Sequence, residues 1–201
     1  MRASLLLIFF IATANLQAAE EYTWWIDPCA PTTAKSTACE PDDVILGQWA
    51  LEAWQRESRD AIALKKSPTE EHARIRIHWA GGTDSLYGET QAAIVDGKRG
   101  ANIYVLPNLN GLGPDIASAG RGDKLFRDAV VYLTCLHESG HALGLPHTRN
   151  FADIMYAFGY GGDIVEYFQR YRRQLKTRAD IPAHSGISDY DRMTIRLMLA
   201  R

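Results

Sequence analysis

The stretch LHESGHALGLPH (136–147) holds three of the chain's six histidines and one glutamate. On a helix His137 and His141, four positions apart, project from one face about 40° from each other. Two imidazoles so placed can share one zinc ion at the usual ~2.1 Å Zn–N distance. Glu138, beside the first ligand, is poorly placed to touch that ion but well placed to take a proton from a water on it. Gly144 follows three residues after His141, where a left-handed residue ends a helix without a Cβ penalty, and Leu145-Pro146 does not continue it. The turn that results carries His147 back toward the same ion. Three histidines leave a fourth coordination position open, which is the pattern of a catalytic rather than a structural zinc site.

Those residues need a helix to carry them and a frame to hold it. KLFRDAVVYLTCLHESGHALG, starting near Lys124, is apolar around more than one face, so the motif helix is expected to be buried. Upstream, Pro41-Asp42-Asp43 opens a segment with Ile45, Trp49 and Ala53 at helical spacing, expected to run to the Ser67-Pro68 break. ARIRIHWA (73–80) alternates Ile75, Ile77 and Trp79 against Arg74, Arg76 and His78, a half-buried strand. ETQAAIVD (89–96) and ANIYVLP (101–107), separated by GKRG, read as a strand pair around a tight turn. Downstream, 163–178 places Ile164, Phe168, Tyr171 and Leu175 on one stripe, a third, amphipathic helix. Ser188 with Asp191 three residues later opens a last helix in the manner of a capping box.

The compartment is written at the N-terminus. One basic residue, an apolar run from Leu5 to Ile11 and the small residues Ala12, Ala14, Ala18 and Ala19 predict a secretory leader over 1–19. That run is too short to span a bilayer, and no membrane span is expected in the mature chain. The destination is then periplasmic or extracellular. Cys29 and Cys39, in a Pro-, Thr- and Ala-rich stretch read as loop (20–41), are expected to form a disulfide in an oxidising compartment. Cys135, two positions before His137, falls on the other side of the motif helix and is expected to be an inert core residue. A formal charge of −2 and a pI near 6.3 give no reason to expect nucleic acid as a partner.

HESGHALGLPH resembles the extended zinc signature of the metzincin metallopeptidases, HExxHxxGxxH. Met155 in FADIMY, eight residues after His147, matches the methionine-containing turn of that family, and the short spacing with HALGL is similar to the matrixin branch. Astacins usually have Glu directly after the third histidine, where this chain has Thr148. Astacins and serralysins also place Tyr two positions after the methionine, where this chain has Ala157. The resemblance implies an α+β zincin domain over 42–201, with a twisted mixed sheet, a long active-site helix, a C-terminal helix and an additional helix after the Met-turn. It implies one catalytic Zn2+ on His137, His141 and His147, with Glu138 as base and Met155 as an apolar floor that does not touch the metal. It also implies a peptide or protein substrate paired by its backbone with an edge strand at Glu89, Thr90, Gln91, Ala92 and Ala93.

The chain departs from the matrixin pattern in three ways. No pro-domain carrying a zinc-blocking cysteine fits ahead of residue 42. The usual Pro-x-Tyr wall is replaced by Ala157-Phe158-Gly159-Tyr160, and the path to the last helix is long, so 160–186 reads as a packed helix, a lid or a partner surface. Tyr156 and Tyr160 are candidates to hold substrate. The resemblance implies Ca2+ in loops such as those of Asp84, Asp96, Asp115 and Asp123, none of which has calcium-loop spacing, and His72, His78 and His184 are too scattered for a second zinc. The expected function is a secreted zinc endopeptidase. A non-catalytic zinc-containing binding module and a zinc hydrolase of a non-peptide amide share the same ligands, although a structural role would not need the intact Glu138.

Overall fold

A computed structural model describes residues 19–82 and 87–200. The expected leader, apart from Ala19, lies outside these residues, as does Asp84. In chain order the elements are β1 (Glu20–Ile26), α1 (Pro31–Thr37), α2 (Asp43–Glu57), β2 (Ile62–Lys66), β3 (Ile75–Trp79), β4 (Gly88–Val95) and β5 (Lys98–Val105). Then follow α3 (Pro114–Ala119), α4 (Lys124–Leu143), α5 (Ile164–Arg172) and α6 (Asp189–Leu199), with short 3-10 turns at Leu109–Leu112, Phe158–Tyr160 and Arg178–Ala183. The five strands form one mixed sheet in the order β2-β1-β3-β5-β4. β1, β2, β3 and β5 run parallel, and β4 lies antiparallel at the edge beside β5.

Two expectations about the N-terminal third are corrected. The segment read as loop is a strand lying between β2 and β3, followed by the short helix α1. EYTWWI buries Tyr22, Trp24 and Ile26 alternately, the period of a half-buried strand. The helix expected to reach Lys66 ends at Glu57, where Arg59 and Asp60 take positive φ. The residues beyond it pair with β1 from Glu20↔Ile62 to Trp24↔Lys66. The buried face of α2 is Leu46, Ala50, Leu51, Ala53 and Trp54, so of the expected stripe only Ala53 is buried.

The helix expected over 163–178 ends at Arg172, so Leu175 of its stripe is buried from the turn beyond it; elsewhere the periodicities read correctly. β3 buries Ile75, Ile77 and Trp79, while His78 packs on the other side between Trp25 and Tyr104, with ring centroids 5.6 and 5.2 Å away. The β4–β5 turn is tighter than GKRG: Val95 pairs with Lys98 across Asp96-Gly97, both at positive φ, and Arg99 and Gly100 belong to β5. Helices α2 and α4 pack side by side on the sheet, α2 against β1 and β2, α4 against β4 and β5. Arg127 of α4 grips the fully buried Asp43 of α2 through two 2.7 Å bonds. Cys29 and Cys39 form the expected disulfide across α1, and Cys135 is a free thiol buried in α4, its pKa pushed up by that burial. Among the described residues no helix is long and apolar enough to cross a membrane.

Candidate metal centre

Helix α4 begins where the Asp123 carboxylate accepts the Phe126 N–H at 2.9 Å, and it ends at Gly144, held at φ 105°. The Leu145 N–H then bonds back to the Gly140 carbonyl at 2.9 Å, which turns the chain sharply. That turn brings the third histidine onto the first two. The Nε2 atoms of His137, His141 and His147 lie 3.0–3.2 Å from one another. Two of the rings are oriented from behind: His137 Nδ1 donates to the Ile154 carbonyl at 2.6 Å, and His141 Nδ1 to the Leu145 carbonyl at 2.8 Å. A carbonyl only accepts, so Nδ1 carries the proton in both rings and each Nε2 lone pair faces the other nitrogens.

Lone pairs converging at this distance repel unless a cation sits between them. Tetrahedral coordination at ~2.1 Å requires neighbouring nitrogens about 3.4 Å apart, so the triangle fits an ion with a slight opening. Among the described residues this is the only group of three or more His, Cys, Asp or Glu side chains close enough to share an ion. Burial lowers the pKa of all three histidines, that of His137 to about 3, so the rings stay neutral and able to ligate.

Glu138 sits beside the triad but is only 6 % exposed. Burial pushes its carboxyl up to about 7, against the opposing pull of the Thr90 hydroxyl, which donates to Glu138 Oε2 at 2.6 Å. A carboxylate so poised takes and returns a proton near neutral pH.

The segment carrying Met155 follows. Thr148 N–H bonds to the Met155 carbonyl at 2.8 Å and Ala157 N–H to the Thr148 carbonyl at 3.2 Å, which closes a loop under His147. Met155 is fully buried, with its side chain against Gly140 of α4. Two residues to which the sequence assigned no role at the site hold this turn. Asp191 of α6 accepts the Ile154 N–H at 2.7 Å, and the Tyr167 hydroxyl of α5 donates to the Asp153 and Ile154 carbonyls at 3.0 and 3.3 Å. Ile154 thus links α5 and α6 to the ring of His137. The Ser188–Asp191 spacing did flag the last helix, and Ser188 Oγ accepts the Asp191 N–H as a cap.

A cleft of about 900 Å³ runs past the histidines between β4 and the 157–168 region. Of the edge-strand candidates, Glu89, Thr90 and Ala92 line it, whereas Gln91 and Ala93 do not. β4 is hydrogen-bonded to β5 alone, so its outer backbone edge is open among the described residues. Helix α5 packs against α4 and buries Tyr167, Phe168 and Tyr171, and Phe158 with Phe168 forms one wall of the cleft. Tyr156 lines the cleft but donates its hydroxyl to the Gly161 carbonyl at 2.6 Å, and Tyr160 stands exposed under Arg149. His72 and His184 lie away from the triad. Asp123 is occupied by the α4 cap and by Arg172 at 3.0 Å; Asp96 sits in the β4–β5 turn and Asp115 in the first turn of α3. A scan against protein-family models and a search of curated proteins found no match to this chain.

Proposed function

We propose that the chain is an exported zinc-dependent endopeptidase of metzincin type, nearest in pattern to the matrixins. The observation that carries this reading is the convergence of three neutral histidine nitrogens beside a buried glutamate, in a cleft bordered by an open strand edge. A three-histidine donor set favours zinc. Bound there, zinc would acidify a water and polarise a peptide carbonyl.

The chain's own residues supply the rest. The outer edge of β4 offers N–H and C=O groups to an extended peptide, whose backbone would pair with it as an added strand. Glu138 takes a proton from the attacking water and returns it to the leaving amine, a role its place beside the histidines in the cleft allows. Ile154 and Leu145 hold the rings of His137 and His141 through their carbonyls. The disulfide and the leader-like N-terminus agree with export.

The test uses the purified chain and its Glu138→Ala variant, with zinc content measured beside cleavage of unfolded casein, with and without a chelator. Both forms should hold about one zinc, and only the unmodified chain should cut. If both hold zinc and neither cuts peptide, the endopeptidase reading falls, and a binding module or a non-peptide amide hydrolase takes its place.

A further inference from the structure

We propose that Thr90, on the edge strand, is a positioning residue that fixes the Glu138 carboxylate for its role as base; this rests on the peptidase reading above. Gly88 and Thr90 share the side of β4 turned to α4. Gly88, Thr90 and Ala92 line the cleft, and Gly88 and Thr90 close on Glu138 directly. A Cβ at Gly88 would lie 2.7 Å from Glu138 Cγ, 2.9 Å from its Oε1 and 2.9 Å from Thr134 Cγ2. Glycine is therefore the residue that lets the strand approach the base this closely. Two positions on, the Thr90 hydroxyl lies 2.6 Å from Glu138 Oε2 and 3.0 Å from the Glu138 carbonyl oxygen. Among the described residues it is the one side-chain donor within hydrogen-bond reach of that carboxylate.

A carboxylate tethered at one end of its side chain can present either oxygen through rotation of its last torsion. With Oε2 held by Thr90, Oε1 is the oxygen left to meet the water. A hydrogen bond to an ionised oxygen is among the stronger kinds, so the tether persists between turnovers. Fixing the base before the substrate arrives lowers the reorganisation needed in the reaction step, an effect that appears in kcat rather than in KM. The strand that would pair with the peptide therefore also holds the base.

Thr90→Val keeps the shape and removes the donor, while Thr90→Ser restores it. Zinc content, kcat and KM on one peptide substrate are measured for both, together with unfolding equilibria of metal-free Thr90→Val, Glu138→Ala and the double variant. Expected are a loss in kcat of about tenfold or more for Thr90→Val with zinc content and KM unchanged, and recovery to within about threefold of the parent in Thr90→Ser. The unfolding constant of the double variant should depart about fivefold from the product of the single effects. An unchanged kcat in Thr90→Val, an equal loss in Thr90→Ser, a loss confined to KM, or additive unfolding effects each overturn the proposal. If the parent chain cuts no peptide, the peptidase reading falls instead, and the unfolding cycle alone decides whether Thr90 holds Glu138.

Discussion

Replacing Glu138 by glutamine tests the electrostatics of the site without any substrate. The buried carboxyl is held at about 7 in the folded chain, against an ordinary value of 4.5, chiefly because burial disfavours its charge. Between those two values the folded chain binds more protons than the unfolded chain, so stability falls as pH rises. The contribution is fully present below about pH 4.5 and lost above about pH 7. A difference of about 2.5 units corresponds to about 3 kcal/mol at 1.36 kcal/mol per unit. The substituted amide is neutral throughout and can still accept from Thr90, so it mimics the protonated acid. Urea unfolding of both metal-free chains in the presence of a chelator, at intervals from pH 4.5 to 8, gives the difference directly. Effects of the three histidines are common to both chains and cancel. The parent should lose about 3 kcal/mol relative to Glu138→Gln across that window. With zinc bound the difference should shrink, because a divalent cation nearby favours the ionised carboxylate. A flat difference curve, or one that rises with pH in the metal-free state, would refute the account of a buried base with a raised pKa.

Three further outcomes are expected. A methyl at Gly140 would overlap Met155 Sδ and lie 3.0 Å from Trp54 Cζ2. Gly140→Ala should thus cost up to about 2 kcal/mol in urea unfolding, the overpacking outweighing the better helix propensity of Ala; a stabilised variant would contradict this. Asp191→Ala removes the acceptor for the Ile154 N–H, whose own carbonyl orients His137. It should weaken zinc binding about tenfold in competition with a chelator, and unchanged affinity in a folded variant would disconnect α6 from the site. Reducing the Cys29–Cys39 bond, which spans ten positions, should lower stability by about 3 kcal/mol on loop entropy. An effect near zero in matched unfolding curves would mean that β1 and α2 already fix that segment.

The three histidines that could share an ion were legible in the sequence because spacing within one helix and its cap is local physics. Four residues place His137 and His141 on one face, and Gly144, alone in tolerating φ 105° cheaply, turns His147 back. The alternation of Ile75, Ile77 and Trp79 and the stripe of Phe168 and Tyr171 were equally readable, since each element carries its own period. What needed the tertiary structure was pairing between distant segments. IALKK becomes strand β2 only because β1 stands beside it, and β1 hid in a stretch whose Pro- and Thr-rich continuation read as loop. Missing the first strand cost the second, because a parallel strand's hydrogen-bond partner lies far along the chain.

The support of the site is likewise non-local. Thr90 meets Glu138 across 48 positions, and Asp191 reaches Ile154 across 37. No periodicity encodes such contacts; they exist because β4, α5 and α6 pack around α4. Which atoms could bind a metal follows from residue spacing along one helix and its cap. How Glu138 is held and buried came from packing, since burial and a hydrogen bond from another strand are not properties of composition.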